Sequence, residues 1–218
     1  MSSSSPSTYN NSDGSATEND SSTHHSDAKI HSISALTTVL DPSTVLPIRM
    51  TSVVVKGYGR GSKDLGIPTA NLDRDAGQFS TASFEDLPTG IYWGFCRIGT
   101  DDHIYKTACS IGYNPYYGNN RKTVEPHLIA DPNDTRRHKS SCGESLLGDF
   151  YDQSIRLSLV GYLRPELPFE GLDKLIEAIK QDIVNAEQFG DGDAASIQLE
   201  KIWVASDDSA IISKTRPG

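Results

Sequence analysis

The chain has 218 residues, with 20 Lys and Arg against 29 Asp and Glu and a formal charge of -9, a size of about one domain plus a tail. Hydrophobic residues make up 36%. No run approaches the roughly 18 apolar residues that span a bilayer, and the acidic balance argues against a broad basic surface for nucleic acid or anionic lipid.

From Met1 to about Val45 the sequence is rich in Ser, Thr and Asn, and Asp13, Glu18, Asp20, Asp27 and Asp41 face Lys29 alone. Too little apolar surface is available there to offset the entropy of ordering, so residues 1–45 are expected to be a disordered acidic tail and 46–218 the folded domain. Three cysteines, Cys96, Cys109 and Cys142, show no paired spacing, which fits a reducing compartment and a cytoplasmic location. Cys142 follows the basic run Arg136-Arg137-His138-Lys139, which favours its thiolate, although incidental exposure is the plainer reading.

After Ile48 come short β-branched and aromatic runs broken by Gly, Pro and Asn, the pattern of a barrel or sandwich of antiparallel strands. Strands are predicted over Ile48 to Lys56, Ile91 to Ile98, His103 to Ile111, Thr123 to Ile129 and Ile155 to Leu163. Gly99 to Asp102 reads as a hairpin turn joining the second and third. Leu172, Leu175, Ile176, Ile179, Ile183 and Ala186 recur at three and four, predicting a helix that covers one side of the barrel and stops near Gly190. Ser196 to Val204 fits helix or strand.

Several clusters can carry chemistry. Gly57, Gly59 and Gly61, with Arg60 and Lys63, leave backbone N–H groups uncovered beside positive charge, which suits phosphate oxygens. Neither a P-loop nor a dinucleotide fingerprint is matched, and spacing alone equally fits a Gly-rich hairpin with a solvated basic tip. Thr69 and Asn71, two apart after Pro68, would present two neutral hard oxygens on one face, a set suited to Mg²⁺ carried by a nucleotide; a strand-entry turn is the simpler alternative. Tyr113, Tyr116 and Tyr117 can wall a planar ligand or fill the barrel end. Glu125 lies in an apolar strand with His127 on the same face, and a carboxylate in a partly desolvated strand takes up a proton more readily than one in water. The same residue can equally be a surface Glu on an edge strand. Arg164, held out of a helix by Pro165, can stack on a flat ring, bind an anion or pair with Glu166.

Read together, GYGRGSKDLGIPTANL, TGIYWGF, SIGYNPYYGN, VEPHLI, DFYDQSIRLSLVGYLRPE and LDKLIEAIKQDI resemble the riboflavin kinase family of the eukaryotic, single-activity type, over roughly Pro47 to Phe189. The resemblance implies a mainly β fold, a six-stranded antiparallel Greek-key barrel with a C-terminal α-helix. It implies transfer of the ATP γ-phosphate to the 5′-hydroxyl of riboflavin, giving FMN and ADP, with Mg²⁺ or, as the alternative, Zn²⁺. Carried onto this sequence, it makes Glu125 the catalytic base and Thr69 and Asn71 the metal and phosphate ligands. Gly57 and Lys63 become part of an ATP-covering flap, Arg164 contacts the flavin side, and Leu128 and Tyr151 line the ligand pocket. Pro126 stands where many relatives carry Thr, and the polar stretch 131–145 is longer than in compact relatives. The expected partners are small molecules, with neither nucleic acid nor membrane, and the expected state is a monomer. A non-catalytic barrel that binds flavin or nucleic acid is the competing reading.

Overall fold

The computed structural model describes residues 41–57, 67–80, 84–113, 121–131, 133–134, 137–140, 143–146 and 150–206. Residues 1–40 of the expected tail 1–45, and the expectations for Gly59, Arg60, Gly61, Lys63, Tyr116, Tyr117 and Cys142, lie outside these residues.

A helical turn, α1 (Pro42–Val45), is capped by Asp41, which accepts from the Ser43 amide at 2.9 Å. It precedes β1 (Ile48–Val55), whose strict alternation buries Ile48, Met50, Ser52 and Val54. Two short pieces follow, β2 (Asn71–Leu72) and β3 (Gln78–Phe79), both paired antiparallel to β1. The long strands are β4 (Gly90–Ile98), β5 (Tyr105–Tyr113) and β6 (Lys122–Ile129). In and just beyond the long polar stretch 131–145, β7 (Arg137–Ser140) and β8 (Gly143–Leu146) form a separate hairpin. The last strand, β9 (Ser154–Arg164), returns to lie between β1 and β4.

The main sheet runs β2-β1-β9-β4-β5-β6 with all pairs antiparallel, and it curls until its ends meet. The Ala70 N–H, just ahead of β2, donates to the Pro126 carbonyl of β6 at 2.9 Å, so the six strands form a nearly closed barrel as expected. Its interior holds Ile48, Met50, Tyr92, Cys96, Tyr105, Cys109, Val124, Leu128, Leu157 and Leu159. Cys96 and Cys109 are free and buried there.

Two helices cover the outside, where one was expected. Helix α2 (Leu172–Gly190) sets Ile179, Ile183 and Ala186 on Trp93, Ala108, Ile129 and Ile67. Helix α3 (Ala195–Ala205) settles the ambiguous last segment, placing Ile197 and Val204 on Phe95 and Val160. Each helix carries one acidic residue in its buried face, and each acid meets a strand arginine. Asp182 of α2 accepts from Arg164 at 2.6 and 2.9 Å. Glu200 of α3, whose side chain is only 7% exposed, accepts from Arg49 through both oxygens at 2.8 Å and from Ser158 at 2.7 Å. The Arg49 and Arg156 guanidinium groups lie over the Trp203 ring at 5.4 and 4.2 Å.

Burial by itself would raise the Glu200 carboxyl, but the Arg49 and Ser158 hydrogen bonds outweigh it and hold the group below its ordinary value. A carboxyl lowered in the folded state contributes stability that is full above its unfolded value and is lost as pH falls through the folded one. Glu200→Gln is therefore expected to lower unfolding stability at pH 7 by about 1–3 kcal/mol and to make its decline toward pH 4 shallower than in the parent, as measured by urea denaturation at both pH values.

Candidate functional site

The barrel seam is built from two segments more than fifty residues apart. Residues 67–72 run extended beside β6, with Ala70 and Leu72 turned into the barrel core and Thr69 and Asn71 turned out. Besides the Ala70–Pro126 bond, His127 of β6, 3% exposed, hydrogen-bonds through Nδ1 to the Pro68 carbonyl at 2.8 Å. Burial pushes the imidazole below its ordinary value, so it is neutral and donates from Nδ1. Thr107 on β5 in turn donates to the His127 carbonyl at 2.8 Å.

This latch delivers Thr69 to Glu125. The Thr69 hydroxyl lies 3.4 Å from Glu125 Oε2, long for a hydrogen bond, while Thr123 donates to Oε1 at 3.0 Å. Asn71 pairs with Val55 at the end of β1, and Gly57, two residues on, lies directly against the Asn71 amide. A methyl group at Gly57 would stand 2.2 Å from Asn71 Nδ2 and 3.0 Å from Oδ1. Hence Gly57, Thr69, Asn71 and Glu125 form one constellation on the outer face of the seam.

The remaining expected site residues are distributed differently. Arg164 ends β9 and forks onto Asp182, with its guanidinium 5.5 Å from the Phe169 ring centre; Asp182 takes the place of the Glu166 partner considered from sequence. Glu166 instead sets its carboxyl against the bare Cα of Gly112 on β5. Burial pushes that carboxyl up, Arg164 pulls it down and the charge of Glu125 pushes it up again, so Glu166 lies within the field of both residues. Tyr151, 44% exposed, sits in the turn before β9, where the Asp152 amide donates to the Val54 carbonyl at 2.8 Å close to Gly57. Leu128 points the other way, into the barrel core at 3% exposure. Lys63 is outside the described residues.

Two contributors were not singled out from sequence. Thr123 was given no role, although the period of two puts it on the face of Glu125. Asp182 was passed over, although an acid inside an apolar helical stripe signals a buried cation partner. Among the described residues no group of three or more His, Cys, Asp or Glu is arranged to hold a metal ion, and no helix is long and apolar enough to cross a membrane. The seam offers the Thr69 hydroxyl and the Asn71 amide oxygen instead, neutral hard donors that suit a cation already bound to phosphates.

Fold and site together define an antiparallel β-barrel with a carboxylate set against a neutral oxygen pair across its closure. Residues 44–190 match the family described as riboflavin kinase, or flavokinase. The mouse riboflavin kinase is 41% identical over 143 residues, covering 66% of this chain and 81% of the mouse protein. The human riboflavin kinase is 40% identical over the same shares, and that of Aspergillus niger 36% identical over 151 residues, 65% of this chain and 69% of the fungal one. A crystal structure of riboflavin kinase from Trypanosoma brucei is similar over 79% of this chain and 92% of that one, with a TM-score of 0.47 and 18% identity. The chain belongs to the riboflavin kinase family.

Gly57→Ala is expected to push the Asn71 amide aside while leaving the fold intact. The KM for ATP with its divalent ion should rise at least about fivefold, roughly 1 kcal/mol, with a thermal midpoint within a few degrees of the parent, measured by steady-state kinetics and calorimetry.

Proposed function

We propose that the chain is an ATP:riboflavin 5′-phosphotransferase, with 46–218 as its catalytic domain, 1–45 as a polar tail and Glu125 as its base. The observation that carries the assignment of roles is the convergence of Glu125 with Thr69, 3.4 Å apart although 56 residues separate them in sequence. Phosphoryl transfer passes through a loose transition state, so alignment and neutralisation of charge supply most of the catalysis and no strong protein nucleophile is needed.

In this reading the substrate hydroxyl gives its proton to Glu125 as its oxygen bonds to the γ-phosphorus. The bond from that phosphorus to the bridging oxygen breaks and the electron pair leaves with ADP. A divalent ion, Mg²⁺ in our reading and Zn²⁺ as the alternative, would be held by Thr69 and Asn71 and would neutralise charge developing on the phosphates. Gly57 keeps the Asn71 amide uncovered on the phosphate side. Arg164 and Tyr151 face the flavin side and the ligand pocket, with Asp182 fixing the guanidinium and Glu166 acting between Arg164 and Glu125. Leu128 shapes the pocket from beneath, through the packing of β6. Lys63, like Gly57, is assigned to the ATP side in this reading. A reducing setting agrees with Cys96 and Cys109, free and buried among the described residues; a monomer in the cytoplasm completes the reading.

Incubation with riboflavin, ATP and Mg²⁺, followed by chromatography of FMN, is expected to show turnover. Glu125→Gln should lose about 10²- to 10⁴-fold in kcat while flavin fluorescence titration shows binding retained. An unchanged rate removes Glu125 from the base role, and flavin binding without any FMN turns the assignment toward a binding module. Because Thr69 and Asn71 carry no charge, calorimetric titration of Mg²⁺ should show weak binding to the bare protein and clear binding once ATP is present; tight binding to the bare protein would refute this ligand set.

A further inference from the structure

Glu125 ends a side chain with three rotatable bonds, and a base is useful only when the accepting oxygen is held where the proton leaves. Its two oxygens have different partners. Oε2 lies on the side of Thr69, at 3.4 Å. Oε1 accepts from the Thr123 hydroxyl at 3.0 Å, a hydrogen bond strengthened by the carboxylate charge.

Thr123 is well placed for this. It precedes Glu125 by two positions on β6, on the same outer face, and its backbone is fixed opposite Gly112 of β5. As a β-branched residue it has a stiff χ1, so holding its hydroxyl in one direction costs little entropy. The same hydroxyl lies 3.3 Å from the Gly112 carbonyl, a second and longer acceptor. A hydroxyl has one proton to donate, and the shorter, charge-assisted contact to Glu125 takes it. Gly112, lacking a side chain, leaves room for the Glu166 carboxyl on the β5 side of Thr123.

We propose that Thr123 is a positioning residue for phosphoryl transfer: its hydroxyl occupies Oε1 of Glu125 and thereby presents Oε2, on the Thr69 side, as the oxygen that takes the substrate proton. The inference rests on the kinase reading above. The proton moves from the substrate hydroxyl to Oε2, the freed electron pair forms the bond to the γ-phosphorus, and ADP departs with the electrons of the broken bond. Thr123 neither gains nor loses a proton.

The test uses Thr123→Val, which keeps shape and branching, Thr123→Ser, which keeps the hydroxyl, and Thr123→Ala as a second removal that introduces no new group. FMN formation by the parent and its loss in Glu125→Gln test the kinase reading separately. Thr123→Val and Thr123→Ala are expected to lower kcat about 10- to 100-fold, the range for losing a hydrogen bond to a charged group, with both KM values within about twofold. Thr123→Ser should retain at least about a third of the parental kcat. In the Glu125→Gln background, Thr123→Val should cost no more than about twofold, because the oxygen it orients no longer accepts a proton. Parental kcat in Thr123→Val and Thr123→Ala, a serine variant as slow as the valine one, or an equal loss in the Glu125→Gln background would each overturn the proposal. If the valine variant melts before assay, the alanine and serine pair carries the same comparison.

Discussion

The candidate site depends on how the sheet closes. The Ala70 amide reaches the Pro126 carbonyl and the buried His127 imidazole reaches the Pro68 carbonyl, so a segment with only two residues of regular strand is fastened along β6. Those bonds involve Pro68 and Ala70, on either side of Thr69, and Pro126 and His127, which follow Glu125, leaving Thr69 and Glu125 turned outward together. Pro126 lacks an N–H, yet its carbonyl is what the seam uses, so the imino acid costs the closure nothing at that atom.

The second constraint is that several strands are buried on both sides. Along β4, Tyr92 and Cys96 fill the barrel while Trp93 and Phe95 lie beneath the helices. A purely apolar contact would leave the helices free to slide, since hydrophobic burial has no direction. Asp182 on Arg164 and Glu200 on Arg49 supply direction, because a forked guanidinium accepts a carboxylate in few geometries. The end of β9 is thereby tied to α2, so the strand that carries Arg164 and the loop that carries Glu166 keep a defined relation to the seam.

The parts of this architecture legible in the sequence were those with a strong local period. Ile48 to Val55 is dominated by β-branched residues, and Ile179, Ile183 and Ala186 keep helical spacing, so both elements are readable from their own residues. The two-residue strands β2 and β3 exist only because β1 lies beside them, and no local propensity announces them. Helix α3 was ambiguous because Glu200, a charge, occupies the middle of its buried face, and only the distant Arg49 explains it. The hairpin of β7 and β8 was hidden by polar composition. As for the site, Gly57, Thr69, Asn71 and Glu125 were suggestive singly and persuasive only through family resemblance. Their proximity is a product of closure, which spacing along the chain does not encode.

The outward placement of the constellation has one more consequence. Its side chains stand on the wall of the barrel and its hydrophobic filling, Ala70, Val124 and Leu128 among it, lies behind that wall. Substitutions inside will be felt as altered lifetime and abundance of the folded chain, whereas substitutions along the outer rim will be felt as altered turnover and ligand affinity. Evolution and protein engineers alike can therefore treat durability and catalytic performance as nearly separate properties of this scaffold.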